Sequence, residues 1–266
     1  MVSVYRPCHF LSRFRFGLLT AYAKPSTEYR PKTKEGVVLT ARILFWYLET
    51  AGLNSFKADL AKIICFGYKF SDEKDTHCII ANQFRGWFSK AEGINDKPLL
   101  IKALEIMEEA DLLVAHFGDK FDRRFFQGRC AVHSLKPPPP TKQRDTWRIA
   151  RGAFCFNSNR LGNLALALDV GEKKQLKTRR QWPGWWDRSL AGDGSAITEM
   201  AEYCKQDVRT LEAVYNRIRV YDNQQHPHMY HHERVTCGIC GGQVTYRGVA
   251  YIGRHKYPRY QCKACG

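Results

Sequence analysis

Three acids and two tyrosines, far apart in the chain, are of types that could act together on one substrate. Tyr47 and Glu49 lie near the end of the apolar run 43–49, Ile-Leu-Phe-Trp-Tyr-Leu-Glu. In a strand, side chains two apart point the same way, so position 47 shares a face with Glu49. Asp122 follows His116-Phe-Gly-Asp-Lys-Phe121, just after a second short apolar run. Tyr203 and Asp207 are spaced i and i+4 in a helical pattern and so share one side of that helix. Carboxylates gathered in a cleft of a basic protein are what two divalent cations need for in-line attack of water on a phosphodiester. Singly, Glu49 and Asp207 read equally well as solvated surface acids.

The C-terminus carries a different chemistry. Cys237-Gly-Ile-Cys240-Gly and Cys262-Lys-Ala-Cys265-Gly are two CxxCG knuckles, with residues 241–261 between them. Each pair can hook two thiolates onto one ion, and the following glycine permits the turn that aims backbone N–H groups at the sulfurs. Strand character at 244–246 and 257–261 completes the pattern of a zinc ribbon. Four thiolates leave no open position, so one Zn²⁺ here would be structural. His226, His228, His231 and His232 then read as solvated linker residues. Between the knuckles, Arg247, Arg254, Lys256 and Arg259 alternate with Tyr251, Tyr257 and Tyr260. That composition suits a nucleic-acid surface, and equally a small domain whose tyrosines cover a thin core.

The whole chain is strongly basic. Its 266 residues hold 42 Lys+Arg against 26 Asp+Glu, a formal net charge of +16. Such a surplus points to a polyanionic partner, nucleic acid first. With 44% hydrophobic and 13% aromatic residues a packed core is within reach, which excludes a disordered chain. No apolar run approaches the ~20 residues needed to span a bilayer. Of the ten cysteines, six are scattered singly, some in apolar stretches. Isolated thiols plus a metal-type cluster suit a reducing, intracellular compartment. Residues 1–38 are basic and lack a secretory cleavage pattern, and we read them as a flexible arm.

The elements that must position these groups follow from periodicity. Runs 43–49, 63–70 and 77–81 read as strands, with 71–75 as a hairpin loop. Pro98 opens a helix whose apolar positions are Leu100, Leu104 and Met107. Residues 112–115 read as a short buried strand and 121–133 as a helix. Four prolines at 137–140 form a stiff connector. Helical patterns at 145–150 and 161–168 precede a basic, Trp-rich loop at 173–188, and 196–220 reads as a long amphipathic helix. The expected class is α/β, a mixed central sheet with helices on both faces. We place the boundaries at 39–221 for this domain, 222–233 for a linker and 234–266 for the ribbon.

At these residues the sequence resembles the DEDD-type, DnaQ-like 3′–5′ exonucleases of the RNase H-like fold, in the subgroup with a third-motif tyrosine. The resemblance runs from about residue 39 to 221. It includes residues 44–50, 116–126, Asp145-Thr-Trp-Arg-Ile-Ala-Arg151, Ser158-Asn-Arg-Leu161 and 203–215. With the ribbon behind it, the arrangement is especially similar to phage and bacterial members. The resemblance implies that Glu49, Asp122 and Asp207 hold two Mg²⁺ or Mn²⁺ ions, that Tyr203 orients the attacking water, and that Asp145 is a structural or substrate-side residue. His116 is then a structural hydrogen-bonding histidine. It further implies a nucleic-acid substrate, DNA ahead of RNA, replication or repair proteins as partners, and a cytoplasmic location, the bacterial host's if the chain is phage-encoded.

Two departures stand out. The family's first strand reads Asp-x-Glu where this chain has Tyr47-Leu-Glu49, and its His-Asn-Gly is here His116-Phe117-Gly118. A phenol with an ordinary pKa near 10 is a poor magnesium ligand. The expectation is therefore an exonuclease weakened by Tyr47, with a catalytically inactive nucleic-acid-binding protein as the alternative. Asn159 and Arg160 either touch a substrate phosphate or begin a helix with an Asn cap. Trp182, Trp185 and Trp186 either grip a single strand or pin a loop to the core.

Overall fold

Residues 43–49 are apolar on both faces because they run through the middle of a sheet that is covered on both sides. In the computed structural model, which describes residues 42–171, 184–222, 237, 242–252 and 255–264, β1 (Ile43–Gly52) is buried almost throughout. It pairs antiparallel with β2 (Ala61–Phe70), and β2 with β3 (His77–Ile80). A small ribbon follows, β4 (Phe88–Ser89) with β5 (Gly93–Ile94). Next come α1 (Lys97–Glu108), β6 (Leu112–Ala115), α2 (Asp122–Val132) and β7 (Lys142–Asp145). Because β6 and β7 join parallel to β1, the described sheet is mixed, with the order β3-β2-β1-β6-β7. Four helices complete the layer architecture: α3 (Thr146–Ala153), α4 (Leu161–Ala167), α5 (Trp185–Leu190) and α6 (Gly194–Ile218).

The strand period of two sorts the core into its two halves. Leu44, Trp46 and Leu48 of β1 join Ile64 and Phe66 of β2 in one cluster, together with Leu100 and Met107 of α1 and Phe125 and Phe126 of α2. Trp46 meets Phe126 edge to face at 6.2 Å. Ile43 and Phe45 turn the other way, toward Ile149, Leu164, Val208, Leu211 and Tyr215. Phe45 and Tyr215 rings lie 5.6 Å apart, edge-on. Each such fully buried side chain contributes about 1.5–3 kcal/mol. Of the scattered thiols, Cys65, Cys130 and Cys204 are buried and outside any disulfide, whereas Cys78 is half-buried and Cys155 exposed.

One polar cluster is set deep among these apolar layers. Asp96, fully buried before α1, accepts two bonds from the Arg129 guanidinium at 2.8 Å each. It also accepts the Ile63 amide at 2.9 Å and meets His133 at 2.7 Å. Burial alone would raise the Asp96 carboxyl, but the Arg129 pairing outweighs it and holds the group below its ordinary value. The cluster ties the last turn of α2 to β2.

The expected α/β class with a mixed sheet and helices on both faces is what the chain adopts, and several details differ. β7 was not anticipated, since Lys-Gln-Arg-Asp carries no apolar pattern; its Arg144 is buried by pairing with Asp222 at 3.1 Å. Residues 185–188, expected as loop, belong to α5, and residues 173–183 of that stretch lie outside the described residues. The basic arm at 1–38 also lies outside them. β8 (Val244–Ile252) and β9 (His255–Cys262) form an antiparallel pair longer than the sequence pattern suggests.

Candidate active site

β1 and α6 meet where β2 lacks a side chain. Gly67 lies directly opposite Tyr47 in the β1–β2 register. A Cβ there would fall 2.7 Å from Cys204 Sγ and 3.0 Å from Val208 Cγ2. The glycine therefore lets α6 sit close on the sheet, with Cys204 Sγ 3.9 Å from the Tyr47 carbonyl oxygen. Tyr203 and Asp207, one residue before and three after Cys204, are carried to the same place as Tyr47 and Glu49. A register shift between Glu49 and Thr50 interrupts the ladder just beyond the acid, and pairing resumes with Thr50 opposite Ile63.

Asp122 arrives from the other direction, as the first residue of α2. Its carboxylate accepts the Leu48 backbone N–H at 3.3 Å, between the two β1 side chains of interest. Glu49, Asp122 and Asp207 are 8%, 2% and 5% exposed, unusual for acids and a departure from the solvated-acid reading.

The electrostatics tie these groups together. Burial raises the Tyr47 phenol well above its ordinary value, and the charges of Asp207, Glu49 and Asp122 add to the effect. Burial likewise raises Tyr203, with Asp207 and Glu49 contributing. The Asp122 carboxyl is pushed up to about 7, by burial first and by the nearby charges of Asp145 and Asp207, against the opposing backbone hydrogen bonds. Both phenols are therefore neutral at pH 7, and Tyr47 stands as an uncharged group among three acids. Among the described residues no group of three or more His, Cys, Asp or Glu side chains is arranged to hold a metal ion.

Around this centre the second-motif loop, residues 116–121 with His116-Phe117-Gly118 at its start, is built by hydrogen bonds from its backbone to Asp145. Asp145 Oδ1 accepts the N–H of Phe117 at 2.8 Å and Oδ2 that of Asp119 at 3.1 Å. The same carboxylate caps α3 through the Trp147 N–H at 2.9 Å. Asp145 thus holds the loop in shape. His116 is buried, its Nδ1 2.9 Å from Thr146 Oγ1, and its ring also bonds the Asn159 backbone. Burial lowers it to about 4, so it is neutral and structural.

The remaining expected residues fall elsewhere. Arg160, not Asn159, occupies the N-cap of α4, without a side-chain cap bond, and is exposed. The Asn-cap alternative is therefore wrong. Trp185 is 8% exposed, lies 6.0 Å from the Tyr203 ring and donates Nε1–H to Glu199 at 2.8 Å. It pins α5 beside the candidate site, a neighbour of Tyr203 that sequence reasoning left undecided. Trp186 is half-buried, and Trp182 lies outside the described residues.

In the C-terminal hairpin Cys237 and Cys262 are both buried. Cys262 Sγ accepts the Ala264 N–H at 3.2 Å, and the Cys237 N–H donates to the Gly242 carbonyl at 2.8 Å. Cys240 and Cys265 lie outside the described residues, as do the side chains of Arg254 and Lys256. Arg247 and Arg259 are exposed, Arg247 bonding Gln261 at 2.8 Å.

Comparison with known proteins sets this arrangement in context. A family B DNA polymerase from the hyperthermophilic archaeon Pyrobaculum calidifontis shares the fold, with a TM-score of 0.54 and 14% identity. The likeness covers 70% of this chain but only 25% of the polymerase, so the chain spans about a quarter of that protein's length. No curated protein matches the sequence. Residues 44–219, from β1 to the end of α6, match the RNase_H_2 model of the RNase H superfamily, and the chain belongs to that family.

Proposed function

We propose that the protein hydrolyses phosphodiester bonds of nucleic acid from the 3′ end, as a DEDD-type exonuclease whose activity is attenuated by Tyr47. The observation that carries this reading is the seat of Asp122. Its carboxylate is hydrogen-bonded to Leu48, between Tyr47 and Glu49, and raised to about 7 by burial and neighbouring acids. Three buried acids gathered at β1, α2 and α6 make an acidic pocket of the kind that a hard cation favours. Glu49, Asp122 and Asp207 are not arranged as a ready-made ligand group, and they are the residues that would have to draw together on Mg²⁺ or Mn²⁺, which would supply water activation and leaving-group stabilisation. Tyr203, neutral and beside Asp207, is placed to orient a water by hydrogen bonding. Cys237, Cys240, Cys262 and Cys265 would hold one structural Zn²⁺ in a ribbon domain. Arg160, Arg247, Arg254, Lys256 and Arg259, within an overall charge of +16, would supply salt-dependent affinity for the strand. DNA is the favoured substrate, in the setting of replication or repair.

A second reading has its own observation. A neutral, half-buried phenol stands at position 47 among three acids, where a fourth carboxylate would complete a two-cation site. A binder that keeps the fold without turnover would look like this. The experiment follows 5′-labelled single strands with Mg²⁺ or Mn²⁺. Stepwise shortening from the 3′ end that is abolished by Asp207→Ala supports the exonuclease. No shortening by the unmodified chain, together with shortening by Tyr47→Asp, supports the binder.

A further inference from the structure

Asp145 fixes two partly exposed rings at once. Through its bonds to the Phe117 and Trp147 amides it sets the second-motif loop against the start of α3. Phe117 is thereby held at φ 61°, in the left-handed region that a phenylalanine rarely adopts. Its ring is 39% exposed. The conformation turns the ring to the surface, where it meets Trp147 edge to face, with centroids 5.1 Å apart and planes at 77°. One helical turn on, the exposed Arg151 places its guanidinium carbon 5.0 Å from the Trp147 ring centroid. Ring, ring and cation thus form a continuous surface patch. Arg148, also exposed, pairs with Asp119 at 2.9 Å beside it.

Strain of this kind persists where the surroundings over-determine it, and such places are often functional. Here the strained backbone exposes an aromatic ring that burial would otherwise claim. Flat rings flanked by a guanidinium suit a base and its phosphate, and the chain's surplus of cations complements a polyanion. Phe117 and Asp122 belong to one loop-to-helix segment, so the patch and the acidic pocket share a structural element.

We propose that Phe117, Trp147 and Arg151 form a stacking platform that takes one unpaired base, with its phosphate, from a single-stranded nucleic acid. The proposal rests on the reading of this face as one that acts on nucleic acid, and it adds a binding position outside the acidic pocket.

The test measures binding of labelled oligothymidylate to the full chain in buffer without added Mg²⁺ or Mn²⁺, where hydrolysis is absent. Trp147→Ala and Arg151→Ala should each weaken binding by about 5- to 50-fold, whereas Trp147→Phe keeps most of it. Phe117→Gly suits the left-handed backbone, so it should weaken binding while the melting temperature is kept. An abasic site moved along the strand should cost the wild type the same factor at one position only, and Trp147→Ala should be indifferent to that position. Unchanged affinity in Trp147→Ala and Phe117→Gly would overturn the platform. So would a loss equal at every abasic position, which would point to a protein segment as the occupant of the rings. Cleavage with unaltered Trp147→Ala binding would refute the platform alone. Position-specific binding without cleavage would refute the nuclease reading alone.

Discussion

Tyr47 and Gly67 face each other across the β1–β2 ladder, and the missing side chain at 67 is what admits Cys204 of α6 to the sheet. Gly67→Ala places a methyl group 2.7 Å from Cys204 Sγ, which must shift. Overpacking of this kind costs about 1–3 kcal/mol. The expected result is a lower urea midpoint and a loss of activity beyond what the unfolded fraction explains, because Tyr203 and Asp207 move with the helix. An unaltered midpoint would show that α6 is not seated by this contact.

Asp122 should make stability depend on pH in a definite direction. Its folded pKa, about 7, lies above the ordinary carboxyl value near 3.9. The group's favourable contribution is therefore greatest below pH 4 and is lost as pH rises toward 7. Asp122→Asn removes that dependence and keeps an acceptor for the Leu48 N–H. The variant should gain on the wild type between pH 5 and 8, by a few kcal/mol at the upper end. Parallel melting curves for the two proteins across this range would contradict the assigned shift.

Tyr47→Asp should raise Mn²⁺- or Mg²⁺-dependent cleavage by orders of magnitude while lowering stability in metal-free buffer, since a fourth acid joins three that already repel. Adding the cation should recover the melting temperature in proportion to occupancy. Calorimetry with and without added Mn²⁺, in buffer free of chelator, checks both halves. A variant neither destabilised without metal nor rescued by it would argue against a shared acidic pocket.

The Asp96–Arg129 pair offers a test of the scaffold alone. Arg129→Met leaves a buried carboxylate with only His133 and the Ile63 amide, and should cost about 3–5 kcal/mol. A paired Asp96→Asn, Arg129→Met change should recover part of that loss. Chemical denaturation of the three variants measures the coupling.

The C-terminal hairpin should carry one zinc ion per chain, bound through its four cysteines. Cys262→Ser should reduce the zinc content measured by elemental analysis and leave the unfolding transition of the 44–219 domain in place.

How much of this was legible in the sequence depends on what each residue faces. Residues 43–49 announced a central strand because burial on both sides demands apolar side chains at every position. The spacing of Tyr203 and Asp207 was readable for the same reason, since a long helix keeps its period. β7 was hidden because its buried positions are Arg144 and Asp145, whose burial is made tolerable by partners distant in sequence, Asp222 and the loop amides. Arg129 was passed over likewise, because an isolated arginine gives no sign that Asp96 waits for it. Phe117 gave no hint of its left-handed backbone, since nothing in an aromatic side chain favours that conformation. Trp185 stood in a basic stretch that resembles a loop, and only its bond to Glu199 shows why a helix forms there.

Asp145 accepts amides from two separate stretches, the second-motif loop and the start of α3, so its loss would release both together. An inactive Asp145→Ala variant would then imitate the removal of a reacting group through collapse of the loop alone. Phenotype at this position reports architecture, and the distinction would show in a collapsed amide-exchange protection of residues 117–119 that Asp207→Ala leaves untouched.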